Sequence, residues 1–153
     1  MLEHRSTATK PGDPMAASSF KGGCGCGAVR YLLTTKPTDA GYCHCRFCQK
    51  KIGAPVVAWL QVPITAIRYT AGQPRVCISR EENAERRFCP NCGTHTDYRA
   101  YDEPATVYVL TPTLDRPKLV PPAYHIFFKQ HIAWFNTIDK LPRYAKEPPE
   151  SAG

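Results

Sequence analysis

Seven of the eight cysteines in this chain lie in three short clusters, a pattern typical of metal binding. The clusters are Cys24 with Cys26; Cys43 with Cys45 and Cys48; and Cys89 with Cys92. In extended backbone, residues i and i+2 point to the same face, so "CGC" at 24–26 directs two sulfurs toward one point. The stretch "CPNCG" at 89–93 indicates a zinc knuckle, in which two sulfurs converge across a turn.

Counting ligands predicts two metal sites of different kinds. A structural zinc is normally held by four protein ligands, whereas a catalytic zinc keeps one position open. Cys24, Cys26, Cys89 and Cys92 together complete a four-thiolate structural site. Cys43, Cys45 and Cys48 supply three thiolates and leave a vacant position. This pairing is one interpretation, since spacing alone also permits others.

The alternative for the three-cysteine cluster is a second structural site, completed by His44, His95, His125 or Cys77. His44 stands between two ligands on extended backbone, so its side chain is expected to point away from them. Cys77 lies within the strand-like "RVCIS" and is expected to be a small buried residue.

The elements that carry these cysteines are predicted to be short strands, and the fold class is all-β. Segments rich in Val, Ile, Tyr and Thr, mostly bounded by Gly or Pro, predict strands. They are 28–33, 55–62, 66–70, 75–79, 96–101 and 106–111. Fifteen prolines disfavour long helices, and only "CRFCQKKIG" at 45–53 predicts a short helix, ending at Gly53. Trp59, Trp134, Phe127, Phe128 and Phe135 are expected in the core.

Length and composition indicate one globular domain, with 42% hydrophobic and 22% charged residues in 153 positions. Residues 1–19 and 147–153 are expected to be disordered tails around a folded unit at 20–146, and Met15 is an alternative start. No membrane segment or signal peptide is apparent, so we expect a cytoplasmic protein. In a reducing cytosol, the cysteines are expected to be ligands rather than disulfides.

The net charge of +7 comes from basic residues that are scattered rather than clustered. This distribution argues against a nucleic-acid partner. No four cysteines lie in a ferredoxin-like run, which argues against an iron–sulfur protein.

Several stretches resemble the glutathione-dependent formaldehyde-activating enzyme family, which also includes centromere protein V. They are "GGCGCGAVRY", "CHCRFCQKKIGA", "RRFCPNCGT", "TLDRP", "HIFFKQHIAWF" and "DKLPRY", in this order between about Lys21 and Tyr144. One departure is "CGTHTDYRA", where an apolar residue is commoner in the family at Thr96 or its neighbour. His95 in that stretch is expected at the surface, with a local proton carrier as the alternative.

The resemblance implies the β-tent zinc fold, in which two small antiparallel sheets meet over zinc. It implies two zinc ions per chain, a structural ion on Cys24, Cys26, Cys89 and Cys92 and a catalytic ion on Cys43, Cys45 and Cys48. The implied activity is that of a carbon–sulfur lyase, S-hydroxymethylglutathione synthase, with glutathione and formaldehyde as partners. The alternative is a non-catalytic zinc-binding module for protein or nucleic-acid interaction.

A metal with three thiolates suits this activity, because it favours binding of a fourth thiol as thiolate, which then attacks the aldehyde. Glutathione has two carboxylates, for which Arg46, Lys50, Lys51, Arg86 and Arg87 are candidate partners. His125 is a candidate proton carrier, with a hydrogen-bonded core histidine as the alternative.

Overall fold

The computed structural model describes residues 20–150, and within them the predicted all-β fold class is confirmed. Ten strands and one α-helix are present in these residues. The strands are β1 (Lys21–Gly23), β2 (Arg30–Leu33), β3 (Asp39–Cys43), β4 (Val57–Pro63), β5 (Ile67–Ala71), β6 (Arg75–Ser79), β7 (Ala84–Phe88), β8 (His95–Ala100), β9 (Thr106–Leu110) and β10 (His125–Ile126). The tail predicted for residues 1–19 lies outside the described residues, as do residues 151–153.

The strands form two sheets, as the resemblance implied. The small sheet has the order β1-β2-β5, and the large sheet has the order β10-β3-β4-β9-β8-β7-β6. All pairs are antiparallel except β10 with β3, which is parallel and joins Ile126 to Cys43 in register. That parallel pair differs from the expected purely antiparallel sheets, and it brings a late segment of the chain beside the cysteine at the end of β3.

All six strands predicted from the sequence exist, with ends that differ by up to two residues. Four strands were not predicted: β1, β3, β7 and β10. β3 reads "DAGYC" and β7 reads "AERRF", and neither has the β-branched and aromatic content that signals a strand. Both lie inside the large sheet, where pairing on two sides stabilises sequences of weak propensity.

The main core lies between the two sheets. Tyr31 and Leu33 from β2 face Leu60 and Val62 from β4, and all four are at most 1% exposed. Burying a leucine side chain in such a core contributes about 1.5–3 kcal/mol to folding. Since side chains alternate along a strand, Trp59 lies on the opposite face of β4 from Leu60 and Val62. On that opposite face, the three cysteines 43, 45 and 48 pack in one apolar group with Trp59 and Ile126.

The helix α1 (Arg46–Ile52) begins and ends where its sequence predicts. Cys45 is its N-cap and its sulfur accepts the backbone N–H of Cys48 at 3.3 Å, which satisfies one of the free donors of the first turn. Gly53 ends the helix in the left-handed conformation with φ of 73°, which glycine adopts without strain. None of the helices in residues 20–150 is long and apolar enough to cross a membrane.

Candidate metal centres

The four-cysteine group joins the two sheets. Cys24 and Cys26 lie in the turn after β1 of the small sheet, and Cys89 and Cys92 lie in the turn between β7 and β8 of the large sheet. Their sulfur atoms all lie within 4.8 Å of one another. The structure therefore brings together the 2 + 2 set that ligand counting predicted.

Local hydrogen bonds shape the turns that carry these sulfurs. Gly93 has φ of 75° and donates its backbone N–H to the oxygen of Cys89 at 2.9 Å, closing the knuckle. The hydroxyl of Thr94 accepts the backbone N–H of Gly25 at 3.1 Å, which ties the two turns together. Hydrogen bonds from the side chain and backbone of Thr94 also lower the pKa of Cys92 to about 5, which favours the thiolate.

The sulfur spacing in this group fits a tetrahedral zinc ion. Four sulfurs at the usual zinc–sulfur distance of about 2.3 Å lie about 3.8 Å from one another. Here the sulfur atoms of Cys24 and Cys26 are 3.5 Å apart, and those of Cys26 and Cys89 are 3.8 Å apart. All eight cysteines lie within the described residues and none forms a disulfide.

The three-cysteine group is built from the end of β3 and the start of α1. Cys43 is the last residue of β3, Cys45 is the helix N-cap, and Cys48 lies in the first turn of the helix. The sulfurs of Cys43 and Cys48 are 3.6 Å apart, and all three lie within 4.8 Å of one another. This spacing also fits three corners of a zinc tetrahedron.

Charge in the three-cysteine group is distributed unequally. Hydrogen bonds with Cys43 and Cys48 lower the pKa of Cys45 to about 3, which favours its thiolate form. The guanidinium of Arg86 approaches Cys48, with Nη2 at 3.8 Å from its sulfur. A cation held beside the sulfurs favours their deprotonated, metal-binding form.

Among residues 20–150, no further histidine, cysteine or carboxylate joins the three-cysteine group within the same distance. His44 and His125 instead bond to each other, with Nε2 of His44 and Nδ1 of His125 at 2.8 Å. Burial, followed by repulsion from His125, lowers the pKa of His44 to about 4, so its ring is neutral. His95 lies beside Phe88, with ring centroids 5.8 Å apart.

Two expectations about individual side chains are wrong. Cys77 is exposed on the edge strand β6, rather than buried. Trp134 is 75% exposed, rather than part of the core. His95, expected at the surface, is only partly exposed, and burial lowers its pKa.

Trp59 is buried beside Cys43, as expected for a core residue. Its ring lies over Gly41, where an added Cβ would come within 2.9 Å of ring atom Cζ2. The absence of a side chain at Gly41 therefore leaves room for the tryptophan ring beside β3. Phe127, Phe128 and Phe135 are half-buried.

The candidate carboxylate-binding residues divide into paired and exposed groups. Arg86 forms a buried ion pair with Glu82 at 2.8 Å, and Arg87 pairs with Glu85 at 2.6 Å and Asp97 at 3.3 Å. Arg46, Lys50 and Lys51 are exposed on α1. A groove of about 390 Å³ lies between α1 and the β6–β7 turn, lined by Phe47, Lys50, Lys51, Ser79 and Glu81.

Sequence reasoning missed two polar residues, Gln49 and Asp139, that bond to the histidines next to the three-cysteine group. The buried Gln49 donates through Nε2 to the backbone oxygen of His44 at 2.7 Å. Asp139 lies 3.1 Å from Nε2 of His125. The one available signal was the position of Asp139 in the family-like stretch "DKLPRY".

The chain is similar to two known proteins over part of its length. It is 29% identical over 93 residues to an uncharacterised lyase of Schizosaccharomyces pombe, covering 60% of this chain and 64% of that protein. A crystal structure of a Rhodobacter sphaeroides protein matches with a TM-score of 0.52 and 26% identity, covering 62% of this chain and 87% of that chain. The model of the glutathione-dependent formaldehyde-activating enzyme family matches residues 19–130, a span that contains both cysteine groups. On this match, the chain belongs to the glutathione-dependent formaldehyde-activating enzyme family.

Proposed function

We propose that this protein is a zinc-dependent enzyme that joins a thiol to an aldehyde and also splits the adduct, with glutathione and formaldehyde as the reference pair. In the splitting direction it is a carbon–sulfur lyase. The observation that carries this proposal is the contrast between the two cysteine groups, one with four sulfurs and the other with three. The family match and the lyase relative support the same reaction class.

Cys43, Cys45 and Cys48 are the proposed ligands of the reactive zinc. When bound there, zinc would acidify an entering thiol and hold it as the thiolate nucleophile. The reaction balances because the thiol loses its proton, its sulfur bonds to the aldehyde carbon, and the carbonyl oxygen gains a proton. The product is a hemithioacetal, which is S-hydroxymethylglutathione for the reference pair.

The chain itself contributes a rigid frame on one side of the three sulfurs. Cys43 is only 6% exposed and packs with Trp59 and Ile126, whereas Cys45 and Cys48 are partly exposed. An incoming thiol therefore meets the group from the side of Cys45 and Cys48. The four-cysteine group has the proposed structural role, because it links the two sheets and its ligand set is complete.

The groove beside α1 supplies the charges that glutathione requires. Lys50 and Lys51 are exposed cations for its carboxylates, and Glu81 is an anion for its ammonium group. Arg86 and Arg87 are occupied by their ion pairs, so we assign them no contact with substrate carboxylates.

NMR exchange spectroscopy of glutathione with formaldehyde tests the proposal directly. The native protein is expected to accelerate exchange between free and hydroxymethylated glutathione, and Cys45→Ser is expected to abolish the acceleration. Cys77→Ser is the matched control, since Cys77 is exposed and outside both groups. Equal exchange rates for native protein and Cys45→Ser would refute the proposed chemistry and leave the non-catalytic zinc module as the better description.

A further inference from the structure

Behind the three-cysteine group, a series of hydrogen-bonded side chains runs from the buried His44 through the buried His125 to the partly exposed Asp139. His44 is 1% exposed and His125 is 0% exposed. The Nε2 atom of His44 lies 2.8 Å from Nδ1 of His125, and Nε2 of His125 lies 3.1 Å from Oδ1 of Asp139. The ring of His125 also stacks on Tyr42, with ring centroids 4.9 Å apart.

The direction of the hydrogen bonds from His44 to Asp139 follows from the charge of Asp139. Although burial opposes ionisation of Asp139, hydrogen bonds from Thr137, the backbone N–H of Leu141 and His125 lower its pKa to about 2. An ionised carboxylate only accepts, so Nε2 of His125 donates to it. In a neutral His125 ring, Nδ1 then has no hydrogen and accepts from Nε2 of His44. Both rings are thereby assigned as Nε2–H tautomers.

His44 lies between two of the three sulfurs in sequence, and almost every polar group it has is bonded. Its backbone N–H donates to the oxygen of Ile126 at 3.1 Å, and its backbone oxygen accepts from Gln49 at 2.7 Å. Its ring bonds to His125. Moving His44 would move the backbone of Cys43 and Cys45, so its bonds fix where those sulfurs lie.

Asp139 connects this arrangement to a C-terminal segment, residues 137–146, that lies beyond the span matched by the family model. Backbone hydrogen bonds join this segment to β10 and to the residues that follow β10. The N–H of His125 donates to Pro142 at 2.8 Å, and the N–H of Tyr144 donates to His125 at 2.9 Å. The guanidinium of Arg143 bonds to Thr137, lies 3.5 Å from Oδ1 of Asp139, and lies over the Phe128 ring at 5.3 Å.

We propose that His125 and Asp139 are positioning residues for the three-cysteine group, acting through His44 to hold Cys43 and Cys45 in metal-binding geometry. Neither residue touches the sulfurs, and their effect passes through the backbone on either side of His44. This inference rests on the proposed metal-binding role of the three cysteines, but not on any reaction at the metal. The C-terminal segment thus supports the three-cysteine group indirectly, although no cysteine lies in it.

Zinc affinity of the full-length protein, measured by competition with a chromophoric chelator, tests this inference. Asp139→Ala is expected to weaken zinc binding at the three-cysteine group about tenfold, the lower end of the effect of losing an outer-shell partner. The four-cysteine group is the internal control and should keep its affinity. Asp115→Ala is the matched control variant, because Asp115, like Asp139 with Arg143, is a carboxylate paired with an arginine, here Arg30, and it lies outside the His125 hydrogen bonds.

Two further variants distinguish the hydrogen bonds of His125 from simple anchoring of the C-terminal segment. Arg143→Ala removes the anchor and its long contact with Asp139 at 3.5 Å, but leaves the closer bond between Asp139 and His125 at 3.1 Å. This variant is expected to retain near-native zinc affinity. His125→Phe preserves an aromatic ring on Tyr42 and removes both ring bonds, and is expected to lose at least as much affinity as Asp139→Ala. Nitrogen-15 NMR of the native rings should report Nε2–H tautomers for His44 and His125, and Asp139→Ala should disturb this assignment.

Native affinity in Asp139→Ala, equal losses at both cysteine groups, or the same loss in Arg143→Ala would each overturn the inference. Other tautomers in the native protein would do so as well. Because zinc affinity and ring tautomers are read without substrate, these outcomes are distinguishable from failure of the proposed thiol–aldehyde reaction.

Discussion

The Nη2 atom of Arg86 lies 3.8 Å from the sulfur of Cys48, which places a buried cation against the three-cysteine group. Arg86 is 4% exposed, bonds to Glu82 at 2.8 Å, and lies over the ring of Tyr98 at 4.7 Å. Its charge is therefore shared between a carboxylate, an aromatic face and a thiol. This arrangement makes Arg86 part of the frame behind the sulfurs, rather than a free group for substrate.

Replacing Arg86 with Met is expected to destabilise the zinc-saturated protein by about 3–5 kcal/mol, since it leaves Glu82 buried without its partner. The double variant with Glu82→Met should lose less, because no unpaired charge remains. Urea unfolding measures both free energies. Arg75→Met, on the exposed strand β6, is the control and should change stability little. A double variant no more stable than Arg86→Met alone would contradict the buried-pair argument.

The two cysteine groups are expected to respond differently to loss of one sulfur. Cys92→Ser breaks the group that links the sheets, so it should lower the thermal midpoint strongly, because metal binding and folding are coupled in structural sites. Cys45→Ser should remove one zinc ion and lower the midpoint less. Metal analysis with scanning calorimetry checks this, and equal losses of stability would argue against separate structural and reactive roles.

The lysines of the α1 groove are expected to favour thiols that carry carboxylates. The double variant Lys50→Gln/Lys51→Gln should raise KM for glutathione up to about thirtyfold, since each of two exposed ion pairs contributes up to about 1 kcal/mol. KM for the uncharged 2-mercaptoethanol should stay constant. Lys36→Gln, an exposed lysine outside the groove, is the control. An equal rise in KM for both thiols would show that the groove does not select thiols by their charge.

His95 is expected to make stability depend on pH. Burial, followed by the charges of Arg86 and Lys51, lowers its pKa in the folded protein below 6.5, so the unfolded chain binds a proton first. Stability is therefore fully present above about pH 6.5 and falls as the pH drops below it. Unfolding at pH 7.5 and 5.5 should show a greater loss for native protein than for His95→Gln, and equal losses would contradict the assignment.

Much of the fold and the cysteine grouping follows from local features of the sequence. The helix at 46–52 is predictable because Cys45 and Gly53 are its cap and its end, and neighbouring residues set both interactions. The six predicted strands exist because their β-branched and aromatic residues favour extended backbone. The 2 + 2 and 3 division is predictable because a tetrahedral ion imposes a ligand count that spacing must satisfy.

Long-range pairing accounts for what the sequence did not reveal. β3 and β7 have weak strand signals and exist because neighbouring strands pair with them on both sides. The burial of Arg86, the exposure of Cys77 and the bond between His125 and Asp139 each depend on which distant segments meet. Residue types and spacing specify which atoms suit a metal, but the contacts that hold those atoms come from segments up to about a hundred residues away, such as Asp139 behind Cys43. Their positions are set by the packing of the whole domain.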